Sequence, residues 1–396
     1  MDVTLSIAES TSALLKDTGG PAHPARAGAG ARVEVVTDLA RLRALSVEWD
    51  ALNQSSESPS IFLSWPWIED WLATIGFGRS ILTVVVINAD GELLGVAPFY
   101  LTRMKLARAV TFNCLRVLGD ADSGAEYPDV LVRRGMEATV LPLMRDALAS
   151  ARGWDLAWLP NMAGWTGATR RFDAIFPPDA CHAHQRPCEF AARDLPATFD
   201  EFMRGLSGNT RSSVKRQNAK LEAAHRVTFE TCRNADELPR FLAALYDLHQ
   251  RRWVSEGRDG AFVRCPAMQA FYDRFSARAL TMNALRMYAL SIDGEIRAVQ
   301  YGYAFGGAFL QLQEGFDPAA DSGAGNALRT RVFDACIQEG LTHYDFLGEF
   351  TEHKRRWGAA PRAGEDRLVG RKTLKNSVLF KRPVWPTGRY LKECPA

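Results

Sequence analysis

The sequence predicts an α/β protein built around a mixed sheet, and it predicts that this fold occurs twice along the chain. Apolar strand segments flank an Asp-Gly pair at two places, in residues 82–100 and in residues 287–303. Each pair is followed by a helical segment and then by a short strand in which Asp precedes apolar residues, at residues 154–159 and 344–347. The chain of 396 residues is also long for a single hydrophobic core.

The Asp-Gly pairs are Asp90-Gly91 and Asp293-Gly294. An Asp-Gly pair between two apolar strands is a strong hairpin signal, because both residues accept the backbone angles of a tight turn. We therefore place a first α/β domain at residues 32–195 and a second at residues 196–390. Residues 1–31 are predicted to be a disordered tail, because they are rich in Gly and Pro and low in apolar residues.

The first domain begins with a strand at Val33–Val36 and continues with two amphipathic helices. Apolar residues recur at three- and four-residue spacing in both helices. The first carries Leu42, Leu45, Trp49 and Leu52, and the second carries Trp67, Ile68, Trp71 and Ile75. The tryptophans of residues 65–71 suit either an aromatic core face or a sugar-stacking surface, and their spacing favours the core.

A linker near residues 190–210 leads into the second domain, which begins with helical segments. The predicted elements are helices at 199–206 and 209–221, a strand at 226–232, helices at 237–253 and 267–282, and a hairpin at 285–305. The helix at 209–221 is basic, with Arg211 and Lys215 one turn apart. These cations are predicted to meet an anionic substrate or cofactor phosphates, although such a run also suits a solvated helix face.

Residues 314–349 carry the main functional signal: a strand, a small-residue loop, a helix and a second strand. The loop, Ser322–Asn326, has glycines at 323 and 325 and lies at the start of the helix predicted near 325–340. Free amides and the helix dipole make such a position suitable for phosphate, and glycine lets the anion approach the backbone. No Gly-Lys-Ser/Thr or dinucleotide-binding fingerprint is present. The small residues could also serve packing alone.

Because paired glycines occur only in the second copy, we predict one working cofactor site. Its predicted cofactor-binding residues are Gly323, Ala324, Gly325 and Asn326.

Composition excludes several classes of protein. The net charge of +2 does not favour a nucleic-acid-binding protein. No apolar run is long enough for a transmembrane helix, and we expect no signal peptide because the first residues lack a basic region and a sustained apolar segment. The seven cysteines are scattered without a Cys-x-x-Cys pair, which favours reduced thiols, no metal and a cytoplasmic location.

At this point the chain resembles a known family. Gly315–Pro318, Ser322-Gly323, Asp345–Gly348 and His353–Gly358, together with the tryptophans near residue 65, are similar to tandem acyltransferase domains of the GNAT superfamily. Within it, the pattern resembles CelD/BcsL-type acetyltransferases of cellulose and exopolysaccharide biosynthesis, which are related to FemAB-like transferases. The resemblance covers residues 33–380. It implies transfer from acetyl-CoA or another acyl-CoA to a sugar, a polysaccharide precursor or another small acceptor, by direct attack in a ternary complex.

The resemblance also implies roles for particular residues. Glu314, on the strand at 308–316, is predicted to be the general base. Asp345 is predicted to be a desolvated catalytic carboxylate, because it lies at the end of the late strand beside apolar residues. Lys354 is predicted to bind an anionic substrate or the oxyanion. The predicted substrate-binding residues are Arg211, Lys215, Arg356 and Trp357.

Two other classes of function remain open. The first is a FemAB-like transferase that uses aminoacyl-tRNA as donor, in which case the basic helix would contact nucleic acid. The second is a non-catalytic scaffold partner of a polysaccharide synthase, since fold alone does not fix function.

Overall fold

The computed structural model describes residues 30–106, 110–319, 323–382, 384–386 and 391–393. Only the last two residues of the predicted tail fall within these ranges, and neither is in regular structure. Ser322 of the predicted cofactor loop lies outside the described residues.

The first half of the described chain alternates strands with short helices. Its strands are β1 (Arg32–Val36), β2 (Ser80–Ile87), β3 (Leu93–Leu106), β4 (Val110–Val117), β5 (Leu131–Val132), β6 (Leu156–Ala163) and β7 (Cys181–Asp194). Its helices are α1 (Leu39–Arg43), α2 (Ser46–Ser55), α3 (Trp65–Leu72), α4 (Glu137–Ser150) and α5 (Ala168–Ile175).

The second half repeats this alternation with longer helices. Its strands are β8 (Val227–Thr231), β9 (Leu285–Ile292), β10 (Glu295–Phe305), β11 (Ala308–Phe316), β12 (His343–Glu349), β13 (Ala360–Arg371) and β14 (Leu391–Glu393). Its helices are α6 (Phe199–Arg204), α7 (Gly208–Ala224), α8 (Leu238–Ser255), α9 (Ala261–Arg264), α10 (Pro266–Thr281), α11 (Ala324–Gln338), α12 (Glu352–Arg356) and α13 (Leu374–Leu379).

The strands form one mixed sheet in which the same order occurs twice. The order in the first half is β1-β2-β3-β4-β6-β13, and in the second half it is β8-β9-β10-β11-β12-β7. In both halves the fourth and fifth strands of this order pair in parallel, and the other neighbours pair antiparallel. The predicted α/β class with a repeated mixed sheet is therefore confirmed.

The two halves exchange their last strands. Strand β7 follows the first half in sequence but pairs with β12 of the second half, and β13 pairs with β6 of the first half. The exchanged strands also pair with each other from Cys181–Arg371 to Ala192–Ala360, which joins both halves into one sheet. The domain boundary near residue 195 stays a prediction, because the range 32–195 contains β7, which completes the second half, and the range 196–390 contains β13, which completes the first.

The two predicted hairpins form with different turns. Asp293 and Gly294 both have positive φ, 53° and 92°, and they join β9 to β10 as a two-residue turn. The first copy needs a longer turn, in which the Asn88 side chain accepts hydrogen bonds from the amides of Asp90 and Glu92.

The tryptophan cluster belongs to the core, as its helical spacing favours. Trp67 and Trp71 in α3 are fully buried, and their indole N–H groups donate to the carbonyls of Gly119 and Ala121. Trp67 also packs edge-on against Phe271 of α10, so the first half and the second half share this core. Among the described residues no helix has both the length and the apolar character needed to cross a membrane.

Candidate active site

Strands β11 and β12 lie side by side at one end and separate at the other. They pair in parallel from Ala308–Leu310 against His343–Asp345, as the sequence predicts for strands joined by a crossover helix. Beyond these residues the two strands diverge, so the far half of β11 has no ladder partner on that side. The opening lies at the carboxyl ends of both strands, where α/β sheets commonly bind ligands.

A cavity of about 400 Å³ lies where β11 ends and α11 begins. It is lined by Glu314, Phe316, Asp317, Pro318, Gly323, Ala324, Gly325, Asn326, Arg329 and His353. The predicted cofactor loop and the predicted catalytic residue Glu314 therefore face the same space.

The glycines of this loop are not needed for packing. A Cβ atom at Gly325 would lie 3.6 Å from the Phe316 ring, and one at Gly323 would lie 3.9 Å from Cβ of Gln217, both ordinary contacts. Gly323 precedes α11 with φ of −179°, an extended conformation that any residue can adopt. The packing explanation is therefore weakened, and the small side chains leave the space in front of the helix open.

The first turn of α11 lines the cavity with backbone N–H groups. Among the described residues, none accepts a hydrogen bond from the backbone N–H groups of Ala324, Gly325 or Asn326. The Asn326 side chain donates instead to Oε1 of Gln217 on α7, at 3.1 Å. This contact fixes the start of α11 against the basic helix and leaves the amides directed at the cavity end.

Glu314 is held by positive charges and amides. Its carboxylate accepts from Arg329, from Arg252 at 3.3 Å, and from the Gln300 and Gln311 side chains at 3.2 and 3.0 Å. Burial alone would raise the pKa of Glu314, but the two guanidiniums and the amide hydrogen bonds lower it to about 2. A carboxylate with so low a pKa is a weak proton acceptor, so the geometry argues against the predicted general-base role.

His353 is neutral in this environment. Burial and the neighbouring Arg329 lower the pKa of His353 to about 4. Its Nε2 lies 3.0 Å from Nη1 of Arg329, and a neutral imidazole accepts that hydrogen bond. Arg329 itself is almost fully buried at 4% exposure, and its guanidinium lies 5.7 Å from the Trp357 ring.

The Asp-Phe-Leu-Gly segment of β12 forms a strained bulge at the opening. Strand β7 pairs with Asp345 through Ala192 and next with Glu349 through Phe190, so the segment between Asp345 and Glu349 bulges. Leu347 and Gly348 in this bulge have φ angles of 46° and 61°. A left-handed conformation is unfavourable for leucine and persists only where the surroundings hold it.

Asp345 holds this bulge together. Its Oδ1 accepts from the amide of Leu347 at 2.9 Å, and both carboxylate oxygens lie 3.1 Å from the hydroxyl of Tyr127. Burial raises the pKa of Asp345 even though these hydrogen bonds oppose the shift. The raised pKa agrees with the desolvation expected from the sequence, and the contacts give Asp345 a positioning role.

Lys354 closes the same bulge from α12. Its Nζ donates to the carbonyl of Leu347 and to the carbonyl of Glu349, the latter at 2.9 Å. Burial lowers the pKa of Lys354, whereas the carboxylates of Glu126, Asp345 and Glu314 act in the opposite direction. The charges of Asp345 and Glu314 both act on the pKa of Lys354, so the three side chains belong to one charged region. Of the three, Glu314 alone lines the cavity, and their convergence on one cleft stays a prediction.

Glu126 and Tyr127 reach this region from the first half of the chain, and sequence reasoning missed both. Oε2 of Glu126 accepts from the amide of Gly348 at 2.7 Å. Burial raises the pKa of Glu126 to about 7, with the nearby Asp345 adding to the effect. The residue also lines a cleft of about 130 Å³. The loop around residues 119–128 carries no motif, so only the tertiary fold reveals this carboxylate.

The predicted cations of α7 do not point to the cavity together. Gln217 marks the face of α7 that meets α11, and Lys215 lies about 200° around the helix from it. Lys215 is exposed, and Arg211 donates to the carbonyl of Arg204 at 3.1 Å. Helix periodicity could have shown that Lys215 and Gln217 lie on different sides of α7. The sequence does not reveal, however, that Gln217 marks the side that meets α11.

Two of the predicted substrate-binding residues lie at the end of α12: Arg356 is exposed and Trp357 is in the core. The Arg356 side chain is 68% exposed and lies 3.8 Å from Glu352. Trp357 is 3% exposed and packs against Phe333 with ring centroids 5.8 Å apart. The predicted substrate contact for Trp357 is therefore corrected: the ring supports Arg329 from within the core and is not free to meet a substrate.

Residues 208–355 match the protein family described as "Acetyltransferase (GNAT) domain". This range includes α7, the cavity loop, Glu314, the bulge and Lys354. The match confirms the predicted acyltransferase, with its GNAT-type domain in the second half of the chain. No curated protein matches the chain in sequence.

Solved structures with the same fold include FemX, with a TM-score of 0.55 and 13% identity over 85% of this chain and 96% of that chain. A conserved protein of unknown function from Bacteroides thetaiotaomicron VPI-5482 gives 0.52 and 13% over 86% and 99%. The C-terminal domain (DUF2156) of a protein assigned as a lysylphosphatidylglycerol synthetase from Agrobacterium fabrum gives 0.51 and 12% over 85% and 94%. At these identities the likeness shows the fold alone.

Proposed function

We propose that the protein transfers an acyl group, in the simplest case acetyl, from acyl-CoA to an amine or hydroxyl group of a small-molecule or saccharide acceptor. One observation carries this proposal. A cavity opens between diverging parallel strands inside the GNAT-type region, and it is bordered by amides at the start of α11 that have no acceptor among the described residues. This combination suits an anionic cofactor whose reactive end must reach the sheet opening.

The charged side chains at and near the cavity are paired with one another. Glu314 contacts Arg252 and Arg329. Asp317 contacts Arg297 at 2.8 Å and Arg251 at 3.6 Å. Arg251, Arg252 and Arg297 also pair with Asp247, Glu256 and Glu295, so these ion pairs leave no excess of positive charge. The phosphate groups would therefore be bound mainly by the backbone amides at the start of α11.

We assign proton abstraction to Glu126 in place of Glu314. The acceptor nitrogen or oxygen attacks the thioester carbonyl and forms the new bond, while its proton moves to the Glu126 carboxylate. The carbon–sulfur bond then breaks, and the thiolate leaves and takes up a proton. Glu126 lies at the bulge, where its Oε2 accepts from the amide of Gly348, and a carboxylate with a raised pKa accepts a proton more readily than the ion-paired Glu314. Asp345 and Lys354 shape the bulge beside it.

The donor site is tested by Gly325→Asp. The new carboxylate would lie beside the proposed pyrophosphate, and we expect acetyl-CoA affinity measured by calorimetry to fall about tenfold, since repulsion of ~1.4 kcal/mol is typical of partly screened charges. Gly208→Asp is the matched control, because Gly208 opens α7 and a Cβ atom added there would meet no other atom within 4 Å. Equal affinity of both variants and wild type would remove the donor site from this loop.

The alternatives predict different ligands. A FemAB-like transferase would bind aminoacyl-tRNA with an affinity that falls steeply as salt rises. A thermal-shift panel of acetyl-CoA, longer acyl-CoAs and tRNA separates these donors, because a ligand that binds only the folded state raises the melting temperature. Stabilisation by tRNA alone would replace the acyl-CoA proposal. The fold shared with FemX is compatible with either donor.

A role in cellulose or exopolysaccharide biosynthesis depends on which acceptor the protein uses. Intact-mass analysis of candidate sugars after incubation with enzyme and acetyl-CoA would detect the acyl group directly. Binding of acetyl-CoA without transfer to any of them would favour the scaffold partner of a polysaccharide synthase. The free thiols among the described cysteines support a reducing, cytoplasmic location.

A further inference from the structure

Helix α13 exposes two apolar side chains to solvent. Leu374 is 90% exposed and Val378 is 68% exposed, and they are four positions apart, so both lie on one side of the helix. The opposite side holds α13 in place through Asn376 and Leu379, which are buried. Asn376 donates to the carbonyls of Asp155 and Arg371 at 2.8 and 2.9 Å. The exposed orientation is therefore fixed by the fold.

The segment that carries α13 is strongly basic. Residues 371–382 contain five cations and no acidic residue: Arg371, Lys372, Lys375, Lys381 and Arg382. Lys375 pairs with Asp155 at 2.9 Å, and Lys381 and Arg382 are exposed. Exposed apolar side chains flanked by Lys and Arg are the combination found where proteins lie on anionic lipid.

A groove of about 270 Å³ next to α13 has the same chemistry. Apolar side chains of Leu148, Trp154, Ile175 and Phe176 line it, and Arg145, Arg371 and Lys372 lie at its wall. Lys372 and Thr373 of this groove immediately precede Leu374. The groove and the α13 segment together carry six cations and three nearby carboxylates. The cations are Arg145, Arg371, Lys372, Lys375, Lys381 and Arg382, and the carboxylates are Asp146, Asp155 and Asp179. The excess positive charge therefore extends beyond α13 itself.

We infer that α13 and the adjoining groove form a docking surface for an anionic lipid bilayer. Leu374 and Val378 would enter the headgroup boundary, and the cations around them would meet lipid phosphates. The chain would then lie on a membrane without spanning it. An acceptor presented at a membrane surface would reach the protein more readily in this arrangement.

The test uses the whole protein and sedimentation with vesicles. Wild type should bind vesicles of phosphatidylcholine with phosphatidylglycerol, bind phosphatidylcholine alone much more weakly, and lose binding as salt rises. Leu374→Ser with Val378→Ser should lower the partition coefficient about tenfold, because exposed apolar area drives insertion. Lys381→Ala with Arg382→Ala should lower it roughly 25-fold, from about fivefold for each of the two cations.

The matched control is Val47→Ser with Phe77→Ser, which removes two equally exposed apolar side chains, at 77% and 78%, from the first half. This control should bind vesicles like wild type, and all variants should keep the wild-type melting temperature. Absent binding to anionic vesicles, or equal losses in the control, would overturn the proposal. A wild-type dimer that Leu374→Ser with Val378→Ser converts to a monomer would overturn it in favour of self-association.

Discussion

Glu126→Gln isolates the half-buried carboxylate of the first half that contacts the bulge of the second half. The substitution keeps the size of the side chain and an oxygen that can accept the hydrogen bond from Gly348, which Glu126 accepts at 2.7 Å. It removes only the ionisation. Any difference between wild type and the variant that depends on pH therefore reports the charge of this one group.

The magnitude follows from the raised pKa. The pKa of Glu126 rises from 4.5 to about 7, first through burial and then through the charge of Asp345. Because the folded state binds this proton more tightly, the associated stability is fully present below pH 4.5 and is lost as pH rises through 7. A shift of this size corresponds to about 3 kcal/mol, of which roughly 2 kcal/mol should be lost between pH 5 and pH 8.

Urea unfolding of wild type and Glu126→Gln at several pH values between 5 and 8 measures this difference. We expect the variant to gain stability relative to wild type steadily as pH rises. Glu48→Gln is the control, because Glu48 is exposed and should give curves parallel to wild type. Parallel curves for Glu126→Gln as well would refute the raised pKa, and with it the reason for choosing Glu126 as proton acceptor.

Three further substitutions probe the contacts that shape the site. Gly315→Ala should destabilise the protein by about 1–3 kcal/mol in urea unfolding, because its Cβ would lie 2.7 Å from the backbone N of His249, whereas Gly208→Ala should be nearly neutral. Glu314→Gln should cost roughly 3 kcal/mol or more by the same measurement, because it leaves the buried Arg329 without its carboxylate. Tyr127→Phe should cost about 1 kcal/mol and leave acetyl-CoA affinity by calorimetry unchanged, since it removes only the contact to Asp345.

Turns, helix starts and the pairing of consecutive strands could be predicted from the sequence, because neighbouring residues determine them. The Asp293-Gly294 turn could be placed from sequence because two consecutive positive φ angles suit these residues. The start of α11 was predicted near residue 325 and lies at Ala324, since small residues mark the end of the loop. The parallel pairing of β11 and β12 followed from the crossover helix between them.

Contacts that depend on tertiary structure could not be predicted in the same way. Glu314 looked like a candidate base because it lies on the right strand, but its ion pairs come from α8 and α11, whose inward faces the sequence does not reveal. Trp357 stands beside a run of cations and so resembled a surface residue, yet it is buried. Glu126 lies more than 200 residues before Gly348, and no motif connects them.

The exchange of β7 and β13 leads to a final prediction about the separated halves. A fragment of residues 196–393 would contain the GNAT-type region but would lack β7, the strand that pairs with β12 from His343 to Glu349. It would also lack Glu126, which holds the amide of Gly348. The exposed edge of β12 would be a template for aggregation, because unpaired strand edges recruit other strands.

We therefore expect this fragment to aggregate or to unfold without cooperativity in urea, as followed by circular dichroism and analytical ultracentrifugation. Co-expression with residues 32–195 should restore a soluble one-to-one complex, because β7 then supplies the missing pairing to β12 while β13 pairs with β6. A monomeric 196–393 fragment that unfolds cooperatively and binds acetyl-CoA like the whole chain would show that the second half needs neither strand exchange nor Glu126. That result would return the complete active site to the second half alone and leave the first half as a separate domain.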